Sequence, residues 1–189
     1  WAEKNEGPVW VSTFTRNLQR QLDAELDRLY PDPAEKRKKV VIRKGRENYF
    51  CLLNFEEALR RPGGEREAAA LGLIARWALA SRDGDMEGGD FPAWLTGIFG
   101  RARTQSLTDT RGECVYSLCG HYAKCFIERC QRRARHALVV VANHALVMTQ
   151  AAYGAYGTAD EGAAPQRYVF DEGHHLFGAA DGAFSAHLS

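Results

Sequence analysis

The chain has 189 residues, 45% of them hydrophobic and 26% charged, with a formal net charge of +1. Such a composition supports a packed core and excludes disordered and fibrous classes, while the near-neutral charge excludes a uniformly basic nucleic-acid coat. No stretch approaches the roughly 18 consecutive apolar residues of a membrane span, and the opening WAEKNEGPVW lacks the charged-then-apolar pattern of a secretory signal.

In chain order, Gly7-Pro8 bounds a β-branched run, Val9 to Thr13, read as a buried strand. The stretch TRNLQRQLDAELDRL follows, with Leu18, Leu22, Leu26 and Leu29 at helical spacing. Pro31 and Pro33 stop that helix, and KKVVIRKG supplies a second strand. Glu65 to Ser81 reads as a helix with Leu71, Ile74, Trp77 and Ala78 on one side; RDGDMEGGD breaks it, and FPAWLTGIFG starts another short helix at Pro92. After Cys125 a helix runs to about Arg135. Leu138 to Ala142 and Arg167 to Asp171 are apolar strands, with a Gly- and Ala-rich loop expected between them. The pattern implies an α/β fold, parallel strands buried under helices, and it contains no internal repeat.

Five cysteines, an odd number, fit a reducing compartment better than a secreted disulfide framework, so a cytoplasmic setting is expected. Cys51 stands far upstream of a trio, Cys114, Cys119 and Cys125, spaced C-x4-C-x5-C. Structural zinc sites usually begin with closer knuckles, often in similar pairs. A 3+1 thiolate set with unequal spacing suits a [4Fe-4S] cube, which takes one Cys per iron around a larger body. Zinc remains an alternative, as do ordinary buried thiols, since free Cys is among the most buried residue types. Three of the five fall in a polar stretch, which speaks against plain burial. Cys130 reads as a small apolar residue on a helix.

Charge is segregated around the trio. From Gly100 to His136 there are eight Lys or Arg (Arg101, Arg103, Arg111, Lys124, Arg129, Arg132, Arg133, Arg135) against three acids, a net +5; Asn54 to Leu95 carries −3. A basic surface attracts the phosphate backbone without sequence preference, so Arg129, Arg132, Arg133 and Arg135 are expected to contact single-stranded DNA. The plainer reading of such an Arg run is a solvated helix face.

The strand ends suggest two further sites. Ser12, Thr13 and Thr15 sit where a strand gives way to a helix, a place suited to a phosphate group, although Thr15 can equally cap the helix. YVFDEGHH puts Asp171 and Glu172 just past the carboxyl end of an apolar strand, where open α/β sheets place ligands. Asp171 is expected to anchor Mg2+ through water, and Glu172 to orient and deprotonate the attacking water. No P-loop is present, because none of the 18 glycines is followed by lysine.

Four segments together carry a resemblance: KGRENYFC, the trio ending in CFIERCQRRAR, VVVANHALV and DEGHHLF. The chain resembles the DinG branch of the XPD-like iron-sulfur superfamily 2 DNA helicases, with DEGH where DEAH is the commoner form. The resemblance implies a partial RecA-like P-loop NTPase motor domain with an inserted, mainly helical iron-sulfur domain. It implies an ATP-dependent 5'-3' DNA helicase acting in DNA repair or the replication-stress response of a bacterial cytosol, associated with the nucleoid. Ser12, Thr13 and Thr15 would belong to motif Ia and touch DNA, while His174 would link hydrolysis to the rest of the motor. Residues 1–43 are expected to begin motor domain 1, 44–135 to form the cluster domain, 136–178 to complete the motor domain, and 179–189 to start an arch-like insertion. The chain is thus expected to be an internal fragment, inactive alone as an ATPase for want of Walker A. A zinc-binding, non-enzymatic nucleic-acid module and an electron-transfer iron-sulfur protein are the competing classes; the second usually groups its ligands in tight C-x2-C runs.

Overall fold

Val9–Thr13 (β1) is β-branched and apolar except at its end, and it is one of the two inner strands of the four-stranded, wholly parallel sheet that the described residues form. The computed structural model describes residues 7–61, 63–109, 114–155 and 167–185. Thr15 caps the next helix, α1 (Arg16–Leu29), its Oγ1 accepting the Leu18 N–H at 3.2 Å. Of the four leucines expected to face inward, Leu26 is buried, but Leu29, in the last turn, is exposed.

Pro31 does end α1, yet Pro33 opens a short helix, α2 (Pro33–Lys39), which the charge-rich KRKK run concealed; Asp32 caps it, and proline at a first helical position costs no hydrogen bond. Then come β2 (Val40–Ile42), α3 (Leu52–Arg60), α4 (Glu65–Ala80), α5 (Ala93–Phe99), α6 (Arg101–Ser106), α7 (Phe126–His136), β3 (Val139–Asn143), α8 (His144–Ala155), β4 (Arg167–Phe170) and α9 (Leu176–Phe184). The loop expected between the last two strands is a correction: much of it is α8, because Ala, Leu, Met and Gln are good helix formers and Asn143 caps the first turn, its Oδ1 accepting the Leu146 N–H at 2.8 Å. Residues 156–166 of that span lie outside the described residues.

The strand order is β2-β3-β1-β4. Val140, Val141 and Ala142 in β3 are all fully buried, and since successive side chains point to opposite faces, both faces of this strand are covered. Leu26 of α1 packs with Val40 and Val141 on one of them. At the edge, β4 is different: Tyr168, Val169 and Phe170 are exposed although apolar.

The chain divides into two compact units, Trp1–Lys44 with Gln131–Ser189, and Gly45–Cys130. The division falls inside α7, earlier than the expected boundary at 135. The first unit holds the sheet. The second is mainly helical, and its core gathers Phe50, Leu71, Ile74, Trp77, Leu95 and Phe126, with Phe50 edge-on to Trp77. Leu71, Ile74 and Trp77 are the stripe read from the sequence.

The break after α4 has a specific geometry. Ser81 Oγ and Trp77 Nε1 both donate to Asp90 Oδ1 at 2.8 Å, closing the turn, and Gly84 takes φ +67 with the Phe126 ring where a side chain would stand. Gly84→Ala should therefore lower unfolding stability by more than about 1 kcal/mol, since both the left-handed backbone and the ring oppose a Cβ. Gly72, mid-helix in α4 with open space around it, should behave oppositely, Gly72→Ala stabilising by about 0.5–1 kcal/mol. Urea denaturation midpoints of the two variants check both signs.

Candidate functional sites

The second unit contains a cavity of about 700 Å³ whose wall includes Cys51, Cys114, Cys119 and Cys125. Each thiol arrives by a different local device. Cys51 ends an extended stretch held by Phe50 N–H to Gly84 O at 2.9 Å and Cys51 N–H to Leu107 O at 2.8 Å, then becomes the N-cap residue of α3. Cys125 stands just before α7. Between them, Tyr116–Leu118 and Tyr122–Lys124 form two 3-10 turns that place Cys114 and Cys119; Tyr116 takes φ +51 and its N–H points at Cys114 Sγ, 3.4 Å away.

The surroundings are polar and charged. Arg46 Nε donates to Asp109 Oδ2 at 2.7 Å, its guanidinium lies over the Tyr116 ring, and its Nη2 is buried without a hydrogen-bond partner. His121 Nε2 pairs with Glu56 at 2.7 Å. Burial pushes the Cys51 thiol up, opposed by the amides of Asn54 and Leu53; burial likewise raises Cys125, opposed by those of Glu128 and Ile127. Among the described residues, no three His, Cys, Asp or Glu side chains are drawn together tightly enough to ligate one metal ion. Cys130 is not in this wall; it packs against the core with its Sγ 3.4 Å from Tyr49 Oη.

At the carboxyl ends of the strands in the first unit, the expected phosphate-binding hydroxyls are differently used. Ser12 and Thr13 are buried, and Ser12 Oγ lies 2.7 Å from His144 Nδ1. Thr15 is exposed but spends its hydroxyl on the α1 cap. The ladder between β1 and β4 continues through Asp171 N–H to Ser12 O at 2.9 Å, so the acidic pair begins where pairing ends. Asp171 and Glu172 are exposed; Glu172 adopts the left-handed region at φ 53, a conformation uncommon outside glycine, and Glu172 Oε2 stands 3.4 Å from His174 Nδ1. His175 stacks on Phe14 with ring centroids 3.6 Å apart. His144, His175, Phe14 and Arg46 were not singled out as site residues; the one available signal was a polar Asn-His pair directly after the apolar VVVA run.

Arg129, Arg132, Arg133 and Arg135 all lie exposed on α7, three of them at i, i+3, i+4 spacing. Arg129 donates to Arg82 O at 3.2 Å and sits over the Phe126 ring, and Arg133 donates to Arg37 O at 3.0 Å. Arg111 of the basic segment lies outside the described residues.

The first unit is thus a parallel α/β sheet with an acidic turn past the end of its edge strand. In sequence the chain is similar to helicases named DinG and YoaA. It is 31% identical to the ATP-dependent DNA helicase DinG of Photobacterium profundum over 91% of this chain, and 30% identical to the ATP-dependent helicase DinG of Mycobacterium tuberculosis over 98%. The ATP-dependent DNA helicase YoaA of Escherichia coli is 29% identical over 96%. The chain spans 25% to 29% of the length of these relatives. No protein-family model matches it.

Two half-buried thiols whose pKa is raised by burial have a measurable consequence. In metal-free protein, Cys51 and Cys125 should be alkylated by iodoacetamide at pH 8 more slowly than a freely accessible thiol, because the thiolate is the nucleophile and burial disfavours it. Their contribution to stability is present below the ordinary thiol value of 9.0 and fades as pH rises above it. Peptide mass spectrometry after timed labelling checks the rates; labelling of Cys51 and Cys125 as fast as a free cysteine contradicts the burial.

Proposed function

We propose that this chain is part of an ATP-dependent 5'-3' DNA helicase, with Gly45–Cys130 as an iron-sulfur domain and the sheet-bearing unit as part of a RecA-like motor domain. The carrying observation is that all four cysteines of the 3+1 set line one cavity while Cys130 does not. The donor set fits a [4Fe-4S] cluster: four soft thiolates, one for each iron, with backbone N–H groups directed at the Cys51, Cys114 and Cys125 sulfurs. When bound, such a cluster cross-links four chain segments and offers a one-electron redox couple.

The protein's own residues supply the rest. Arg46 holds a positive charge beside Cys114, fixed by Asp109, and so offsets the negative charge that four thiolates would bring together. Asp171 would anchor Mg2+ through water and Glu172 orient the attacking water for ATP hydrolysis, both from an exposed turn that substrate can reach; His174, beside Glu172, would pass the state of that turn to the rest of the motor. The exposed apolar side chains of β4 stand on the faces of the sheet and suit cover by other elements of the whole protein. The relatives' names support ATP and DNA as ligands; a cytosolic, nucleoid-associated setting and a role in DNA repair are part of the same proposal. Among the described residues no helix is long and apolar enough to cross a membrane.

The reading has a direct test in cysteine variants. Anaerobically purified protein should be brown with about four irons per chain; Cys119→Ser should bleach it and Cys130→Ser should leave the colour and iron content intact. Colour lost in Cys130→Ser but kept in Cys125→Ser would contradict the ligand assignment, and stoichiometric zinc without iron would contradict the cluster.

Single-stranded DNA contact by the α7 arginines is tested by salt. Each phosphate contact removed should lessen the dependence of log affinity on log salt by about 0.7. Arg132→Glu combined with Arg135→Glu should weaken oligonucleotide binding and flatten that slope; an unchanged slope and affinity would mean a merely solvated helix face.

A further inference from the structure

A second cavity, of about 400 Å³, opens at the carboxyl ends of β1 and β3, with Phe14, Asn143, His144, His174 and His175 in its wall. Its least expected feature is His144. The residue is 1% exposed, its Nδ1 is taken by Ser12 Oγ, and its Nε2 is buried with no hydrogen-bond partner. A buried polar atom left unpaired is costly, so a group that satisfies it binds with that advantage. The same spot is the start of the twelve-residue α8, whose first-turn N–H groups and positive dipole end favour an anion. Asn143 satisfies the Leu146 N–H, and Asn143, His144 and Ala145 at the start of the turn line the cavity. Neither Asp171 nor Glu172 belongs to the wall. At the rim, Phe14 is 46% exposed and stacks on His175 at an interplanar angle of 8°.

We propose that this cavity is a phosphate subsite for a DNA strand: a backbone oxyanion accepts a hydrogen bond from His144 Nε2–H and from the first turn of α8, while the ring of Phe14, backed by His175, offers a stacking surface to an adjoining base. The proposal rests on the nucleic-acid reading above. It gives Ser12 a role its burial otherwise denies it. In this assignment the Ser12 hydroxyl, 2.7 Å from Nδ1, donates to it and keeps the imidazole proton on Nε2, so Ser12 is a positioning residue acting on DNA through His144. Aromatic platforms of this kind tolerate any base, as a translocating protein requires. A nucleotide or free phosphate shares the oxyanion but lacks the run of bases, and the test separates these sources.

The experiment uses the full chain with ring-labelled histidine and long-range proton-nitrogen NMR, titrated in turn with inorganic phosphate, ATP and a twelve-residue oligothymidylate. The expected result is a His144 ring protonated on Nε2, whose Nε2 resonance shifts with the oligonucleotide at concentrations where phosphate and ATP leave it in place. His144→Ala should weaken oligonucleotide binding about tenfold, and His144→Gln, which keeps an N–H near the Nε2 position, should recover most of it; Ser12→Ala should move the proton between the ring nitrogens. A bare Nε2, or an Nε2 unmoved while the oligonucleotide binds elsewhere, overturns the subsite and leaves the wider DNA reading intact. A shift with ATP or phosphate alone overturns the assignment to a strand. If the oligonucleotide does not bind at all, the nucleic-acid reading itself fails, and the wild-type measurement decides this even if the Ala variant does not fold.

Discussion

Parallel pairing of β1 with both β3 and β4 is the constraint from which the rest of the first unit follows. Parallel neighbours cannot be joined by a tight hairpin; each connection must cross the sheet, and all carboxyl ends come to one edge. The register matches Thr13 to Asn143 and Ser12 to Phe170, so residues distant in the chain arrive at one end of the sheet. Ser12, His144, Phe14 and the DEGHH turn meet there for that reason alone. The same logic explains where the second unit is tolerated. β2 and β3 are adjacent and parallel, a crossover between them is obligatory, and the helical unit occupies that crossover without disturbing any ladder.

In the second unit the governing effect is desolvation. Burying thiols in a half-polar cavity holds them protonated, which preserves them from oxidation and slows alkylation, but a metal group must then displace those protons. The amides aimed at the sulfurs and the Arg46 guanidinium beside Cys114 act in the opposite direction, favouring the thiolate once it forms, while the Asp109 carboxylate adds to the rise at Cys51. Their coexistence in one wall suits a site that is inert when empty and strongly retained when filled. A set of structural, permanently apolar cysteines would need neither, and Cys130, packed among apolar side chains with a tyrosine hydroxyl for company, shows what such a cysteine looks like in this protein.

Much of this was legible in the residues. β1 and β3 announced themselves as β-branched runs bounded by breakers, and the α4 stripe of Leu71, Ile74 and Trp77 had clean helical spacing. The grouping of four thiols was readable in their 3+1 spacing, and all four line one cavity. What stayed hidden has physical causes. α8 was read as loop because an Ala- and Gly-rich stretch has weak amphipathic contrast; it packs against β1, β3 and α9, so neither face need be polar. α2 hid in a charged run because its stability comes from the Asp32 cap and from Lys36 bridging Asp23 and Asp27, not from an apolar stripe. The burial of Ser12 and Thr13, and hence the importance of His144, depends on strands paired across more than half the chain, which local pattern cannot express.

The central claim is that the four cysteines of the second unit hold one iron-sulfur cube. Mössbauer spectroscopy of anaerobically prepared, iron-57-enriched protein tests it most directly, combined with X-ray absorption at the iron and zinc edges. The account predicts a single quadrupole doublet of a diamagnetic [4Fe-4S] cluster with sulfur-only coordination at iron and no zinc edge. A zinc edge with four sulfur neighbours and no iron, or iron present only as isolated high-spin ions, would contradict it.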